Sequence, residues 1–279
     1  MRKLYCFAPL LLSALLCACG QQASAPQGFP PLIPEGRTAV VAHRGFWDCE
    51  AGGLSQNSVA SLRAAQEAGF WGSEFDVHLT SDDVVVVHHD ADHDGIDIQK
   101  NPFSALADCR LPNGETIPTL DEYLSQGEQC ATTVLVLEFK KQGSDEREDR
   151  LVGQSIAALR AHGLLDPSRV VFISFSKHIC EVIAAEYPEF VNQYLNGELS
   201  PDALCRLGIN GFDYQYRILR FHPNWIVRAR ELGMSSNAWT VNKEKDQQRL
   251  LDRGIGALTT NDPLLARRLL GEKEYRITL

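Results

Sequence analysis

The chain has 279 residues, of which 44% are hydrophobic and 23% charged, and its formal net charge is −9. That length buries a sizeable core as one large domain or two small ones, and the composition is that of an ordinary globular protein. The acidic balance, with no basic run and no interleaved aromatics, excludes nucleic acid as a partner, so an anionic substrate needs local basic groups or a cation.

Residues 1–19, MRKLYCFAPLLLSALLCAC, read as an export signal: Arg2 and Lys3 form a positive start, an apolar run too short to span a bilayer comfortably follows, and small residues close it. Leu16-Cys17-Ala18-Cys19 resembles the bacterial lipobox, which predicts lipidation of Cys19; ordinary signal cleavage nearby is the alternative. Residues 20–36, rich in Pro, Gly and Gln, read as a flexible tether, and 37–279 as the folded domain. The expectation is an exported protein, lipid-anchored to the cell envelope (periplasm or outer membrane). Its membrane contact runs through that anchor, and no protein partner is indicated.

From Thr38 onward strands alternate with helices. The strands predicted are 38–44, 73–77, 133–139, 170–175, 190–195, 211–216, 235–241 and 256–260. The helical patterns are Ser58–Ala68, Glu146–His162, Lys177–Glu186, Pro201–Leu207, Pro223–Leu232, Lys243–Arg253 and Pro263–Leu270. Ser58 suits a helix cap, Gly163 and Gly233 follow helices, and Pro201 and Pro223 suit first turns. Eight β/α units in about 240 residues point to an α/β fold, a TIM (β/α)8 barrel. A doubly wound sheet is disfavoured because no GxGxxG follows the first strand.

The second strand opens the stretch GSEFDVHLTSDDVVVVHHD, residues 72–90. Glu74, Asp76 and His78 alternate with apolar residues and share a face, TSDD is turn chemistry, and Val84–Val87 return as a hairpin partner. Only one of His88 and His89 can then share the acids' face. Glu74 opposite residue 89 selects His89, and opposite residue 90 it selects His88. Residues 91–131 read as a mostly irregular insertion on the barrel rim that ends in a short helix. Within the stretch DADHDG, residues 90–95, the start is like a calcium loop, but Asn101 stands where a bidentate Glu belongs, so a solvated turn is expected.

Barrel chemistry sits at the C-terminal strand ends. Those ends offer His43-Arg44, Glu74 and Asp76, Glu138 and Lys140, Ser174 and Ser176, Tyr214 and Trp239. Three carboxylates without sulfur ligands suit Ca²⁺ or Mg²⁺. His78 and His93 read as surface or rim groups, and the two serines as structural. Cys49, Cys109, Cys130, Cys180 and Cys205 have no CxxC spacing and hence no zinc signature, though export would allow Cys109 and Cys130 to pair.

AHRG at 42–45, EFDVHLTSDDVVVVHHD at 74–90, LEFK at 137–140, WTVN at 239–242 and TTNDP at 259–263 together resemble the glycerophosphodiester phosphodiesterase family, TIM-barrel enzymes related to phosphatidylinositol-specific phospholipase C. The resemblance runs from Val40 to Pro263. It implies metal-dependent hydrolysis of small-molecule glycerophosphodiesters to glycerol 3-phosphate and an alcohol. By position it assigns Glu74, Asp76 and Glu138 to a divalent cation, Ca or Mg, and His43 and His89 to general acid and base. Arg44 and Lys140 would hold phosphate, and Trp239 would wall the glycerol end. It also breaks the register tie in favour of His89. One element departs: where the family usually has PEN, the chain reads Ser55-Gln56-Asn57-Ser58. The alternative function is a cation-dependent binding module for glycerophosphoryl groups or envelope polyanions with little turnover.

Overall fold

The computed structural model describes residues 37–271. The export signal, Cys19 and the tether therefore lie outside the described residues, as do residues 272–279. The first units are β1 (Ala39–Ala42), α1 (Val59–Glu67), β2 (Gly72–Leu79) and its hairpin partner β3 (Val85–Val87). A small hairpin, β4 (Asp92–His93) and β5 (Ile96–Asp97), and two 3₁₀ turns precede α2 (Leu120–Gly127). The alternation continues through β6 (Val134–Phe139), α3 (Asp145–Ala161), β7 (Val170–Ser174), α4 (Lys177–Glu186), β8 (Val191–Tyr194) and α5 (Pro201–Arg206). It ends with β9 (Gly211–Gln215), α6 (Tyr216–Phe221), α7 (Trp225–Glu231), β10 (Ser235–Trp239), α8 (Glu244–Asp252), β11 (Ala257–Thr260) and α9 (Pro263–Leu269).

The eight parallel strands β1, β2 and β6–β11 pair in sequence order, and β11 and β2 both pair with β1, so the sheet closes on itself. It is a TIM barrel. β2 is the longest strand because it does two jobs: its start pairs with β1 (Val41↔Gly72) while its end runs past the rim and pairs antiparallel with β3 (Val77↔Val87). Alternation sorts each strand. Val134 and Val136 pack inside the barrel with Val41, Val171 and Ile173, whereas Leu135, Leu137 and Phe139 face the helices. On that outer layer Phe139, Phe172 and Phe190 form a chain of ring contacts at 5.6 and 5.1 Å. Each such fully buried side chain contributes roughly 1.5–3 kcal/mol.

Three expectations change. The helix ending the predicted insertion is α2, which packs between α1 and α3 as the barrel's own second helix, so the insertion proper ends before it. Tyr216 begins α6, an element the aromatic strand-like run GFDYQY conceals. Pro223 precedes the N-cap Asn224 of α7 rather than filling its first turn, while Pro201 does start α5. All five described cysteines are free, so Cys109 and Cys130 do not pair. No helix among the described residues is long and apolar enough to cross a membrane.

Candidate active site

After β1 the chain must reverse to reach α1, and it does so through Arg44 and Gly45, both at positive φ (58° and 80°). A side chain at Gly45 would collide with Ser61, so glycine is the residue that lets this turn sit on α1. The turn brings the Arg44 backbone N–H to Glu74 Oε2 (2.7 Å) and the Gly45 N–H to the Glu74 carbonyl (3.0 Å). Arg44 Nη1 donates to Gln56 Oε1 at 2.6 Å, and Nε lies 3.8 Å from Asp76 Oδ2. Gln56 therefore keeps hold of the guanidinium although it carries no charge. Asn57, also at positive φ, donates from Nδ2 to Asp76 Oδ2 (2.8 Å) and accepts from the Asp76 N–H (3.2 Å).

Glu74 and Asp76 point inward from β2, and the register Asp76↔Glu138 sets the third acid beside them on β6. One oxygen from each of the three lies within 4.8 Å of the others, and all three residues are buried. Lys140 Nζ bridges Asp76 Oδ1 (2.8 Å) and Glu138 Oε1 (2.7 Å), while Glu74 Oε1 is buried with no hydrogen-bond partner. Burial, then the neighbouring acids Asp76 and Glu138, push the Glu74 carboxyl well above its ordinary range. Burial and Asp76 likewise push Glu138 up to about 8. Burial works against ionisation of Asp76 too, but Lys140, His89 and the hydrogen bonds from Lys140 and Asn57 outweigh it and hold this carboxyl below the usual range. Three converging carboxylates with an orphaned inward oxygen fit a hard divalent cation with all-oxygen ligands. Asp213 on β9, buried and with Oδ1 unpartnered, faces the same interior; burial and the Glu138 charge raise its carboxyl well above the ordinary range.

His43 follows β1, and its Nδ1 contacts Asn261 Oδ1 at 2.7 Å, so Nδ1 carries the proton and Nε2 keeps its lone pair. Asn261 is itself fixed by its N–H donating to Asn242 Oδ1 (2.9 Å). This explains what the WTVN and TTNDP stretches contribute. Burial, then Arg44, lower His43 to about 4. His89 Nδ1 lies 2.7 Å from Asp90 Oδ1; burial lowers its pKa, the Asp76 charge works to raise it, and Lys140 and Arg44 work to lower it. His43 and His89 are close enough to influence each other electrostatically. His78 is not a rim group: it is buried, and its Nε2 holds the His89 carbonyl at 3.2 Å. Burial lowers His78 to about 4.

Trp239 sits half-buried on the inner face of β10, its Nε1 donating to the Asp213 carbonyl (3.0 Å) and its ring edge-on to Phe175 at 5.5 Å. Tyr214, expected at the barrel mouth, instead points outward, fully buried among the helices, and donates to the Leu199 carbonyl at 2.7 Å. Its neighbour Asp213 takes the inward position. Ser174 and Ser176 are structural as read, bonded to the Phe139 carbonyl and capping α4. Beside Asn261 a cavity of about 460 Å³, lined by Phe46, Asp48, Asn242, Asn261, Asp262 and Leu264, opens to solvent.

The acids give a stability prediction with a defined sign. Without a cation the folded protein holds protons on Glu138, up to about 8, and on Glu74, raised well above normal, that the unfolded chain releases near its ordinary range. These groups make stability fall as pH rises. The lowered histidines act the other way but only below their ordinary value near 6.5, and Asp76 only in acid. From about pH 6.5 to 8 the acids therefore dominate, opposed by Cys130, whose thiol burial raises but hydrogen bonds with Thr132 and Thr133 bring down to about 7. One proton is worth about 1.4 kcal/mol per pH unit, and 1 kcal/mol moves Tm by roughly 2–4 °C at this size, so Tm in chelator should drop by a few degrees there. Added Ca²⁺ or Mg²⁺ should restore more at pH 8 than at 6.5. A flat or rising Tm in chelator would contradict the site's electrostatics.

Residues 43–265 match the model of the glycerophosphoryl diester phosphodiesterase family. A solved glycerophosphodiester phosphodiesterase from Parabacteroides distasonis is similar in structure with a TM-score of 0.81 and 40% identity, over 84% of this chain and 97% of that one. An Oleispira antarctica phosphodiesterase, solved in complex with the product sn-glycerol-3-phosphate, superposes with a TM-score of 0.68 at 25% identity, over 84% of this chain and 97% of that one. The chain is also 24% identical to a glycerophosphodiester phosphodiesterase of Caldanaerobacter subterraneus subsp. tengcongensis, over 81% of its own length and 95% of the relative's.

Proposed function

The chain belongs to the glycerophosphoryl diester phosphodiesterase family and is a phosphodiesterase of that class, from which premise we propose the finer reading that it splits glycerophosphodiesters with Glu74, Asp76 and Glu138 holding a divalent cation and His43 and His89 moving the protons. The observation that carries this is the convergence of the three buried acids, with Glu74 Oε1 left unpartnered, beside Arg44 and two imidazoles. When bound, the cation supplies Lewis-acid polarisation of a phosphoryl oxygen. Arg44 and Lys140 add positive charge for the phosphate oxygens, which an anionic diester requires before an oxygen nucleophile can approach. His43, held neutral by burial with Nε2 free, is placed to take the proton of that nucleophile, water or the neighbouring glycerol hydroxyl. His89, whose cationic form is supported by Asp76 and Asp90, is placed to protonate the departing alcohol. Trp239 walls the glycerol end, and the sn-glycerol-3-phosphate bound to the Oleispira relative supports the same product here.

The test is release of glycerol 3-phosphate from glycerophosphocholine, glycerophosphoethanolamine and glycerophosphoinositol, with Ca²⁺ or Mg²⁺ and after exhaustive chelation. Cation-dependent release is expected. Release that survives chelation and dialysis would remove the cation from this reading, and binding without release would favour a non-hydrolytic module.

The lipobox-like Leu16-Cys17-Ala18-Cys19 supports the further reading that the enzyme is exported and anchored to the envelope through Cys19. The Cys19→Ser variant should leave the membrane fraction and lose fatty-acid labelling. The shift should be large, because stable anchoring rests on more than one acyl chain. Unlabelled wild-type protein in the soluble export fraction would mean plain signal cleavage.

A further inference from the structure

We propose that His93, Asp94 and Cys109 form a second cation site, in the rim insertion, for a thiophilic divalent ion of the Zn²⁺ class. A nitrogen, an oxygen and a sulfur from these residues lie within 4.8 Å of one another. The His93 nitrogen facing Asp94, Nε2, is buried and has no hydrogen-bond partner, and it stands 3.7 Å from Asp94 Oδ2. Cys109 is 6% exposed, and its thiol makes no hydrogen bond among the described residues. A buried polar nitrogen without a partner is costly, and this one lies in the same 4.8 Å group as the Cys109 sulfur. Metal bonds of about 2.0–2.3 Å in tetrahedral geometry put neighbouring ligand atoms roughly 3.3–3.7 Å apart, so the trio needs to draw in by about 1.5 Å at most.

The backbone holds the donors in place. Asp94 and Gly95, both at positive φ (51° and 80°), form the two-residue turn of the β4–β5 hairpin, with His93 paired to Ile96. Cys109 is packed with Val86, Ile98 and Leu106 in the insertion's own apolar cluster, its N–H donating to the Leu106 carbonyl (3.0 Å). A cation here would clip the hairpin to that cluster. His88, one residue from His89, packs edge-on against His93 at 5.0 Å, so the clip would also brace the chain leading to the active site. Imidazole and thiolate select a borderline or soft ion, whereas the three-carboxylate site selects a hard one, so the two sites should sort their metals. Binding exchanges the Cys109 thiol proton, which leaves to solvent, for the cation.

The experiment titrates Co²⁺ into the purified protein in saturating Mg²⁺, which occupies the carboxylate site. The wild type should develop a near-ultraviolet thiolate-to-cobalt band that Zn²⁺ abolishes. Cys109→Ala should lose the band and bind Zn²⁺ at least about a hundredfold more weakly, a first ligand mattering at least as much as its supports. Asp94→Asn, at an exposed turn position that tolerates the left-handed backbone, should keep the band and weaken Zn²⁺ at least about tenfold. Cys109→Ala retains Cys49, Cys130, Cys180 and Cys205, so an equal band in it and in the wild type would overturn the proposal as adventitious thiol binding. No band in the wild type would overturn it too.

Discussion

Exchanging Glu138 for Gln is expected to lower hydrolysis by roughly a thousandfold, since a bound cation supplies several kcal/mol of transition-state stabilisation and each 1.36 kcal/mol is tenfold. The substitution conserves shape, so it removes one negative charge from the trio and little else. Lys140, which now bridges Asp76 and Glu138, would retain Asp76 as its charged partner. The cation-free variant should be no less stable than the wild type at pH 8, because Glu138 is the carboxyl pushed up to about 8 by burial and Asp76. Activity and thermal stability thus move in different directions, which separates loss of cation binding from misfolding. The variant should also lose most of the stabilisation that Ca²⁺ or Mg²⁺ gives the wild type. Turnover above about a tenth of wild type, with cation stabilisation intact, would show that Glu138 is not a ligand; a tenth corresponds to only about 1.4 kcal/mol.

The carboxylate trio was legible in the sequence because strand alternation is a strict code. Asp76 and Glu138 fall between large apolar residues and Glu74 directly precedes one, and the same parity that buries Phe75, Leu137 and Phe139 outside the barrel forces the acids inside. The barrel was legible for a related reason: buried parallel strands such as Val134–Phe139 are near-continuous apolar runs. Where no such code operates, the sequence misled or was silent. Tyr214 stands near a strand end, but its parity is outward and Asp213 holds the inward place. His78 lies on the part of β2 beyond the rim, where exposure was expected, yet β3 and the chain after it cover that stretch and bury it. Asn261 reaches His43 only because β11 pairs with β1 and closes the barrel, a contact across 218 residues that no local pattern announces. His93, Asp94 and Cys109 meet through an irregular loop, so their spacing matches no metal motif.

Truncating His89 to Ala should lower turnover by at least about a hundredfold, the lower scale for a general acid–base group, while His88→Ala should cost much less. The observed register makes this a demanding test. Val77 pairs with Val87, and the His88 N–H donates to the Asp76 carbonyl, so the same register extended sets Glu74 opposite residue 90. Simple alternation would then select His88. The ladder, however, stops at Val87, and beyond it alternation no longer governs. The His88 ring turns to His93 and to the Asp92 backbone, whereas His89 interacts with Asp76, Lys140 and Arg44. The bond from His78 to the His89 carbonyl helps keep the chain on that course. His78→Phe, which keeps the bulk but removes the donor, should therefore lower turnover less than His89→Ala while leaving cation stabilisation unchanged. A diester with a good leaving group needs little protonation of the departing oxygen, so it should rescue His89→Ala in part and His43→Ala hardly at all if His89 is the acid. Rescue of His43→Ala instead would exchange the two roles, and a dead His88→Ala beside a nearly normal His89→Ala would mean that alternation, not the departure from the ladder, decides which imidazole faces the acids.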